Sequence, residues 1–237
     1  MNKRPDFIPA FHFHWLTRYY DPMMRWLFPE SGIKAALIAQ ARIQSGQAVL
    51  DMGCGTGTLT LLIKQTEPGA AVYGLDMDLQ ALNIARAKID KAEQNVTLQQ
   101  GSATCLPYPD ESFDRVFASL MLHHLTREDK QQALREAFRV LKPGGELHVA
   151  DFGAPHDAGM LIISWLVRWF EEIHDHMLGL LPIFMADAGF DPVREVAFYR
   201  TLAGSISLYF ASKPASTDAA RNSIPDKYCF SCRLRSR

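Results

Sequence analysis

Three glycines in five residues, Gly53, Gly55 and Gly57, follow directly on a short apolar run, residues 47–50, and precede Leu59, Leu62 and Ile63 at helical spacing. A strand that turns at once into a helix needs residues without a Cβ, because the turn is tight and a ligand can approach its backbone closely. That feature limits the chain to a layered α/β architecture, and the order of elements agrees. Residues 71–75 read as a second strand ending at Asp76, and Leu79, Leu82, Ala85 and Ile89 mark the inward face of a helix. Residues 96–98 and 113–120 read as the third and fourth strands. Thr126 with Asp129 resembles a capping box, and Ala133, Leu134, Ala137, Phe138 and Leu141 form the stripe of the helix it opens. Lys142-Pro143-Gly144-Gly145 stops that helix, and residues 146–150 are a fifth strand. Residues 193–200 and 205–211 flank Leu202-Ala203-Gly204 as a hairpin. The expected fold is α/β: a doubly wound, Rossmann-like, seven-stranded mixed sheet with an antiparallel last strand.

Composition narrows what this sheet would serve. The chain has 237 residues, 48% of them apolar, enough for one sizeable core. Twenty-five basic against twenty-six acidic residues argue against a general polyanion-binding surface, and no N-P-P-Y-like element for a flipped base is present, so no nucleic-acid partner is expected. Cys229 and Cys232 form a lone C-x-x-C, two of the roughly four ligands a structural zinc needs, so no metal is expected. The longest apolar stretch, residues 160–170, is broken by Arg168 and falls short of the ~18–20 residues of a membrane span. No signal-peptide core is seen, and a cytoplasmic location is the expectation. Three segments are distinguished: an aromatic N-terminal lid over residues 1–30, a ligand-binding domain over 31–213 with a helical insert at 153–190, and a basic tail, 214–237, expected to be disordered.

Charge around the glycine loop bears on the ligand. A dinucleotide fingerprint counted from Gly53 would need a small third residue where Thr58 stands. Asp51, two residues before the first glycine, would repel a pyrophosphate, whereas the ammonium and sulfonium of S-adenosylmethionine would be attracted to it. The carboxylate of that ligand could lie at the helix N-terminus near Gly57. The alternative for Asp51 is an acid that orders its own loop. Asp76, at the end of the second strand, occupies the place where doubly wound folds hold ribose hydroxyls, a need common to NAD and S-adenosylmethionine. Met77 after it packs either on an adenine face or in the core.

The run Val49-Leu50-Asp51-Met52-Gly53-Cys54-Gly55-Thr56-Gly57 resembles the first motif of class I S-adenosylmethionine-dependent methyltransferases. Three further segments agree in order and spacing: Gly101-Ser102-Ala103 with Leu106-Pro107-Tyr108, then Phe113-Asp114 through Leu122-His123-His124-Leu125, then residues 134–140 with the Lys-Pro-Gly-Gly stop. The set is similar to the small-molecule branch that includes the ubiquinone/menaquinone C-methyltransferases, over roughly residues 31–213. The resemblance implies that Gly53, Cys54, Gly55 and Gly57 wrap the methionine part of the cofactor, that Asp51 lies near its amino end and that Asp76 binds the ribose. It further implies that Ser102 and Ala103 border the adenine and that Ser119 and Leu120 close the site. Many relatives carry Asp or Asn at the place of Ser102.

Methyl transfer from a sulfonium needs alignment and exclusion of water, and a base only where the acceptor must lose a proton. His123 and His124, after the fourth strand, are the candidates for that proton; their alternative role is to shape the loop. His174 and His176 are expected on the wetter end of an apolar helix, and His148 is expected to point out of its strand with no assigned part. Trp15, Tyr19, Tyr20 and His14 in the N-terminal segment, with Trp165 and Trp169 in the insert, are read as a hydrophobic lid lining the site of a small apolar or aromatic acceptor, quinone- or lipid-like. The same aromatics read alternatively as a peripheral membrane contact or as plain core. The competing functions are an NAD(P)-dependent oxidoreductase and a non-catalytic S-adenosylmethionine-binding regulator.

Overall fold

The computed structural model describes residues 30–157, 160, 174–201 and 204–215. The expected lid, most of the insert, including Trp165 and Trp169, and residues 216–237 with the C-x-x-C lie outside the described residues.

In chain order the elements are α1 (Glu30–Ala41), β1 (Ala48–Met52), α2 (Thr58–Thr66), β2 (Ala71–Asp76), α3 (Leu79–Lys91), β3 (Thr97–Gln100), β4 (Phe113–Ser119), a 3-10 turn (Leu122–His124), α4 (Arg127–Val140), β5 (Leu141–Phe152), α5 (His174–Met177), α6 (Leu181–Asp187), β6 (Val193–Thr201) and β7 (Gly204–Ser212). The seven strands run in the order β3-β2-β1-β4-β5-β7-β6. Strands β1 to β5 are mutually parallel, and β7 runs antiparallel to both β5 and β6. The expected seven-stranded mixed sheet is therefore the observed one. Strand order reverses between β1 and β4, which leaves a crevice at their C-terminal ends, where ligands bind in doubly wound folds.

Alternation along the strands sends residues to two cores. Leu50, Met52, Val116, Leu147 and Val149 face α4 and α6, with Leu134, Ala137, Phe184 and Tyr209. Val49, Val72, Phe117, Ala150 and Leu208 face the other way, against Ile33 and Leu37 of α1 and Leu59 and Ile63 of α2. Asp51 falls between Leu50 and Met52 and therefore points to the α1–α2 side, under the helix that the glycine loop starts. Thr126 caps α4 as expected, its hydroxyl accepting the Asp129 N–H at 3.2 Å.

Several expectations are corrected. β5 does not stop at Ala150 but continues through Asp151 and Phe152, because β7 pairs with it to Phe152↔Ile206. Leu79 is not on the inward face of α3; it is the first helical residue and exposed, while Leu82, Ala85 and Ile89 are buried. His148 does not point to solvent: it is fully buried, stacked on Phe117, with Nδ1 2.9 Å from Gln40 Nε2 and Nε2 3.0 Å from Glu146. His174 is exposed as expected, but His176 is buried beneath the end of β5.

Candidate active site

The turn after β1 is fixed from β2. The Gly53 and Cys54 N–H groups both donate to the Leu75 carbonyl, at 2.8 and 2.9 Å. Gly53, Gly55 and Gly57 have φ of 74°, 51° and 73°, in the left-handed region where a side chain is strained. They are nevertheless not equivalent. A Cβ on Gly53 would lie 2.2 Å from Met121 Cγ, and one on Gly57 would lie 2.7 Å from Ala85 Cβ, whereas one on Gly55 would meet nothing within 4 Å. Two of the three glycines therefore let protein pack on protein, and Gly55 alone turns its bare face to open space. That opening is the cradle in which a ligand can lie against the backbone.

Asp76 braces the cradle. One of its carboxylate oxygens accepts the Gly55 N–H at 2.7 Å and the other the Asp78 N–H at 2.8 Å. Burial raises its pKa from the ordinary carboxylate value, against the pull of these N–H groups. From α3, Lys88 Nζ donates to Thr56 Oγ1 and Thr58 Oγ1 at 3.1 and 2.9 Å, tying the loop to the first residue of α2. Asp51 is 1% exposed and accepts a 2.6 Å hydrogen bond from Thr60 Oγ1. Burial pushes it up to about 6, against the Thr60 bond and the nearby Lys34 charge. It is thus ionised at neutral pH and also orders its own turn. The Cys54 thiol is buried and pushed well above its usual value by burial and then by Asp51 and Asp76, so it stays protonated.

The other residues named from the sequence lie at the same end of the sheet. Met77 follows β2 and is half-buried. Ser102 and Ala103 follow β3, half-buried; Ser102 Oγ lies 2.7 Å from Thr104 Oγ1 and accepts the Thr104 N–H at 3.2 Å. Ser119 ends β4, and Leu120 after it has φ 51°, a strained value for a non-glycine residue, with its N–H on the Ala150 carbonyl at 2.7 Å. Such strain gathers at functional turns. Here it turns the chain so that Met121 meets Gly53 and His123 meets the end of β5.

Asp151 is not among the residues that the sequence singles out. It is fully buried and engaged on both oxygens. One oxygen lies 2.7 Å from His123 Nδ1 and accepts the Phe152 N–H at 2.8 Å; the other accepts the Leu122 and Met121 N–H groups at 2.8 and 3.2 Å. Burial would raise its pKa, but the His123 charge and hydrogen bond, with His176 and the Phe152 N–H, outweigh it and hold the carboxyl well below the ordinary range. A signal did exist. Parallel pairing of the fourth and fifth strands puts whatever follows Ala150 beside whatever follows Ser119, and a lone aspartate there closes on the histidines.

The two histidines separate. His123 is 4% exposed, oriented by Asp151 and by an edge-to-face contact with Phe152 at 4.9 Å between ring centres. His124 packs against it at 4.0 Å and is pushed down to about 3 by burial and the neighbouring His123 charge, against the pull of Asp151. His124 is therefore neutral at physiological pH and a poor base. His14, Trp15, Tyr19, Tyr20, Trp165 and Trp169 lie outside the described residues. Among the described residues no helix is long and apolar enough to cross a membrane.

A methyltransferase-domain family matches residues 49–145, from β1 into the first residues of β5. The chain is 35% identical over 198 residues to the ubiquinone/menaquinone biosynthesis C-methyltransferase UbiE of Xylella fastidiosa, covering 81% of this chain and 72% of that protein. It is also 35% identical over 142 residues to the demethylmenaquinone methyltransferase of Lactobacillus johnsonii, and there it spans only 57% of the relative's length. Among solved structures, the YcgJ protein from Bacillus subtilis superposes with a TM-score of 0.65 at 19% identity, covering 78% of this chain and all of that one. A SAM-dependent methyltransferase from Methanosarcina mazei superposes with a TM-score of 0.64 at 20% identity, covering 76% and 98%. At these identities the two structures speak for the fold alone. The comparisons favour neither the oxidoreductase nor the regulator.

Proposed function

Because the chain belongs to the class I methyltransferases of the ubiquinone/menaquinone C-methyltransferase type, we propose that it transfers a methyl group from S-adenosylmethionine to a small, quinone-like aromatic acceptor, in its hydroxyl-bearing form. The observation that carries this reading is the buried His123–Asp151 pair, set where β4 and β5 end and joined to the glycine cradle through Met121.

When bound, S-adenosylmethionine supplies an activated methyl group on a positively charged sulfur. The groups present suit such a ligand. Gly55 offers open backbone, Asp76 offers a carboxylate at the ribose position, and Asp51 adds buried negative charge where a cation is to be held. Ser119 and Leu120, at the end of β4, would border the ligand on one side, and Met77, Ser102 and Ala103, after β2 and β3, on the other. Asp151 holds His123 by Nδ1, which fixes that nitrogen as the proton-bearing one and makes Nε2 the basic position. In its neutral form His123 takes the proton from the acceptor's hydroxyl, and the imidazolium so formed is the charged ring that the Asp151 carboxylate holds. The resulting phenolate-type anion is a far stronger nucleophile than the neutral phenol, at carbon as well as at oxygen. A lid from the aromatic N-terminal segment and the insert would complete the water-excluding enclosure, which is the proposed role of residues 1–30 and 153–190. A lipid-like acceptor would be met at the cytoplasmic side of a membrane surface.

The direct test is incubation with methyl-deuterated S-adenosylmethionine and a lipophilic extract kept under reducing conditions, followed by mass spectrometry. A quinol-class product three mass units heavier than its unlabelled methylated form supports the proposal. Label found only in a non-aromatic product, or nowhere, removes it.

Two further results are expected of the cofactor site. Asp76→Ala should weaken S-adenosylhomocysteine binding by about 1–3 kcal/mol in calorimetric titration, through loss of charged hydrogen bonds to ligand and cradle; unchanged affinity would withdraw the ribose assignment. The second concerns pH. In the free protein Asp51 holds its proton to about pH 6, so its contribution to stability is full below the ordinary carboxylate pKa and is lost as pH rises through about 6. A cationic ligand favours the ionised form, and binding below that pH must expel the proton. Affinity should therefore rise by up to about tenfold per pH unit towards pH 6 and level off above it. Asp51→Asn should abolish the slope; a slope that survives would assign it elsewhere.

A further inference from the structure

His176 stands apart from the other buried histidines. It sits on α5, a single turn pinned to the start of α4 by Asp175, which accepts from the Arg127 guanidinium and lies 3.6 Å from Lys130 Nζ. Its ring is 1% exposed and approaches His123 edge-on at 6.5 Å between centres, with Nδ1 4.0 Å from Asp151. Nδ1 lies 2.9 Å from the Phe152 carbonyl, which can only accept, so Nδ1 carries the proton and the lone pair is on Nε2. Nε2 is buried and, among the described residues, has no hydrogen-bond partner. Burial keeps the ring neutral, with the Lys130 and His123 charges acting in the same sense and Asp151 opposing. A buried acceptor is rarely left unmatched without a reason. The fold has spent an anchored turn and an ion pair on holding this one beside the dyad.

We propose that His176 Nε2 accepts a hydrogen bond from a hydroxyl of the acceptor molecule, and so selects aromatic acceptors in the hydroxyl-bearing form over their ethers. The inference rests on the proposed methyl transfer to a quinone-like acceptor, and it adds a binding residue distinct from the proton-accepting His123.

The test uses the full-length chain saturated with S-adenosylhomocysteine, titrated with 1,4-naphthohydroquinone and separately with 1,4-dimethoxynaphthalene. The hydroquinone should bind about tenfold more tightly. His176→Asn keeps an N–H for the Phe152 carbonyl but removes the acceptor at Nε2, and should lower that preference several-fold, to the part that the hydroxyl's contact with His123 supplies, with S-adenosylhomocysteine affinity unchanged. His176→Gln, whose amide reaches as far as Nε2, should restore part of it; a merely structural histidine would not give this pattern. Nitrogen-15 NMR of labelled histidine gives a readout independent of folding in the variants. The Nε2 resonance should move towards the hydrogen-bonded range with the hydroquinone and not with the diether. An Nε2 already hydrogen-bonded before ligand is added, by an internal water, overturns the proposal, as does a preference undiminished in His176→Asn. Binding of neither compound to the loaded protein overturns the aromatic-acceptor reading itself, and the inference with it.

Discussion

Asp151→Asn is expected to lower the rate of methyl transfer by about 10²–10⁴-fold, the range that a positioned proton acceptor contributes. The substitution keeps the shape and removes the charge. In the native protein every group that faces the two carboxylate oxygens is a donor: the Met121, Leu122 and Phe152 N–H groups and His123 Nδ1. An amide has only one acceptor atom, so either orientation sets its NH2 against at least one backbone N–H. Where the NH2 faces His123, Nδ1 must accept, the ring proton moves to Nε2, and the imidazole can no longer take a proton from the acceptor. Stability should fall as well, by about 1–3 kcal/mol for the mismatched buried donor. Steady-state kinetics, thermal unfolding and S-adenosylhomocysteine titration separate the two effects. Affinity for the cofactor product should hold within a few-fold. His124→Gln, altering a ring that is already a weak base, should keep activity within about tenfold of wild type. If Asp151→Asn is as active as wild type, the dyad is structural only.

The second large effect is a contrast between neighbouring glycines. Gly53→Ala would drive a methyl group into Met121 from a left-handed backbone, and should cost about 2–5 kcal/mol of stability from strain and overpacking together. Gly55→Ala meets no protein atom and should cost only the backbone term, about 1–2 kcal/mol. It would, however, put its methyl group in the opening assigned to the ligand. Its signature is therefore a modest drop in melting temperature with a loss of at least about tenfold in S-adenosylhomocysteine affinity. Gly53→Ala should show the reverse emphasis. Equal binding by Gly55→Ala and wild type would mean that the ligand does not lie against that turn.

The residues that announce this fold are those whose chemistry is local. A glycine at a left-handed turn, a threonine capping a helix and a Pro-Gly-Gly stop each act within a few residues, so Gly53, Thr126 and Lys142-Pro143-Gly144-Gly145 could be read directly from the sequence. Helix α1 could not, since apolar residues surround it (Ile33, Ala35, Ala36, Leu37, Ile38, Ala39) and no stripe stands out. Asp151 was hidden because its partner is 28 residues away and only strand register joins them. His148 and His176 were misjudged for a related reason. Whether a histidine is solvated or buried depends on which distant carbonyl, amide or carboxylate is brought to it, here Gln40 and Glu146 for one and Phe152 for the other. The glycine loop was legible as a unit, but the separate tasks of its glycines were not, because Met121 and Ala85 come from other parts of the chain.

β7 pairs with seven consecutive residues of β5, from Glu146 to Phe152, and it is the last strand among the described residues. On a translating ribosome the ligand turn and the four strands around it emerge long before their neighbour on the far flank. The strand that carries Asp151 must wait, with one side unzipped, until residues 204–212 follow. A nascent chain arrested before that point would present an apolar ribbon ready to zip onto another copy. Premature stops late in the gene should consequently yield insoluble protein rather than a soluble, folded half.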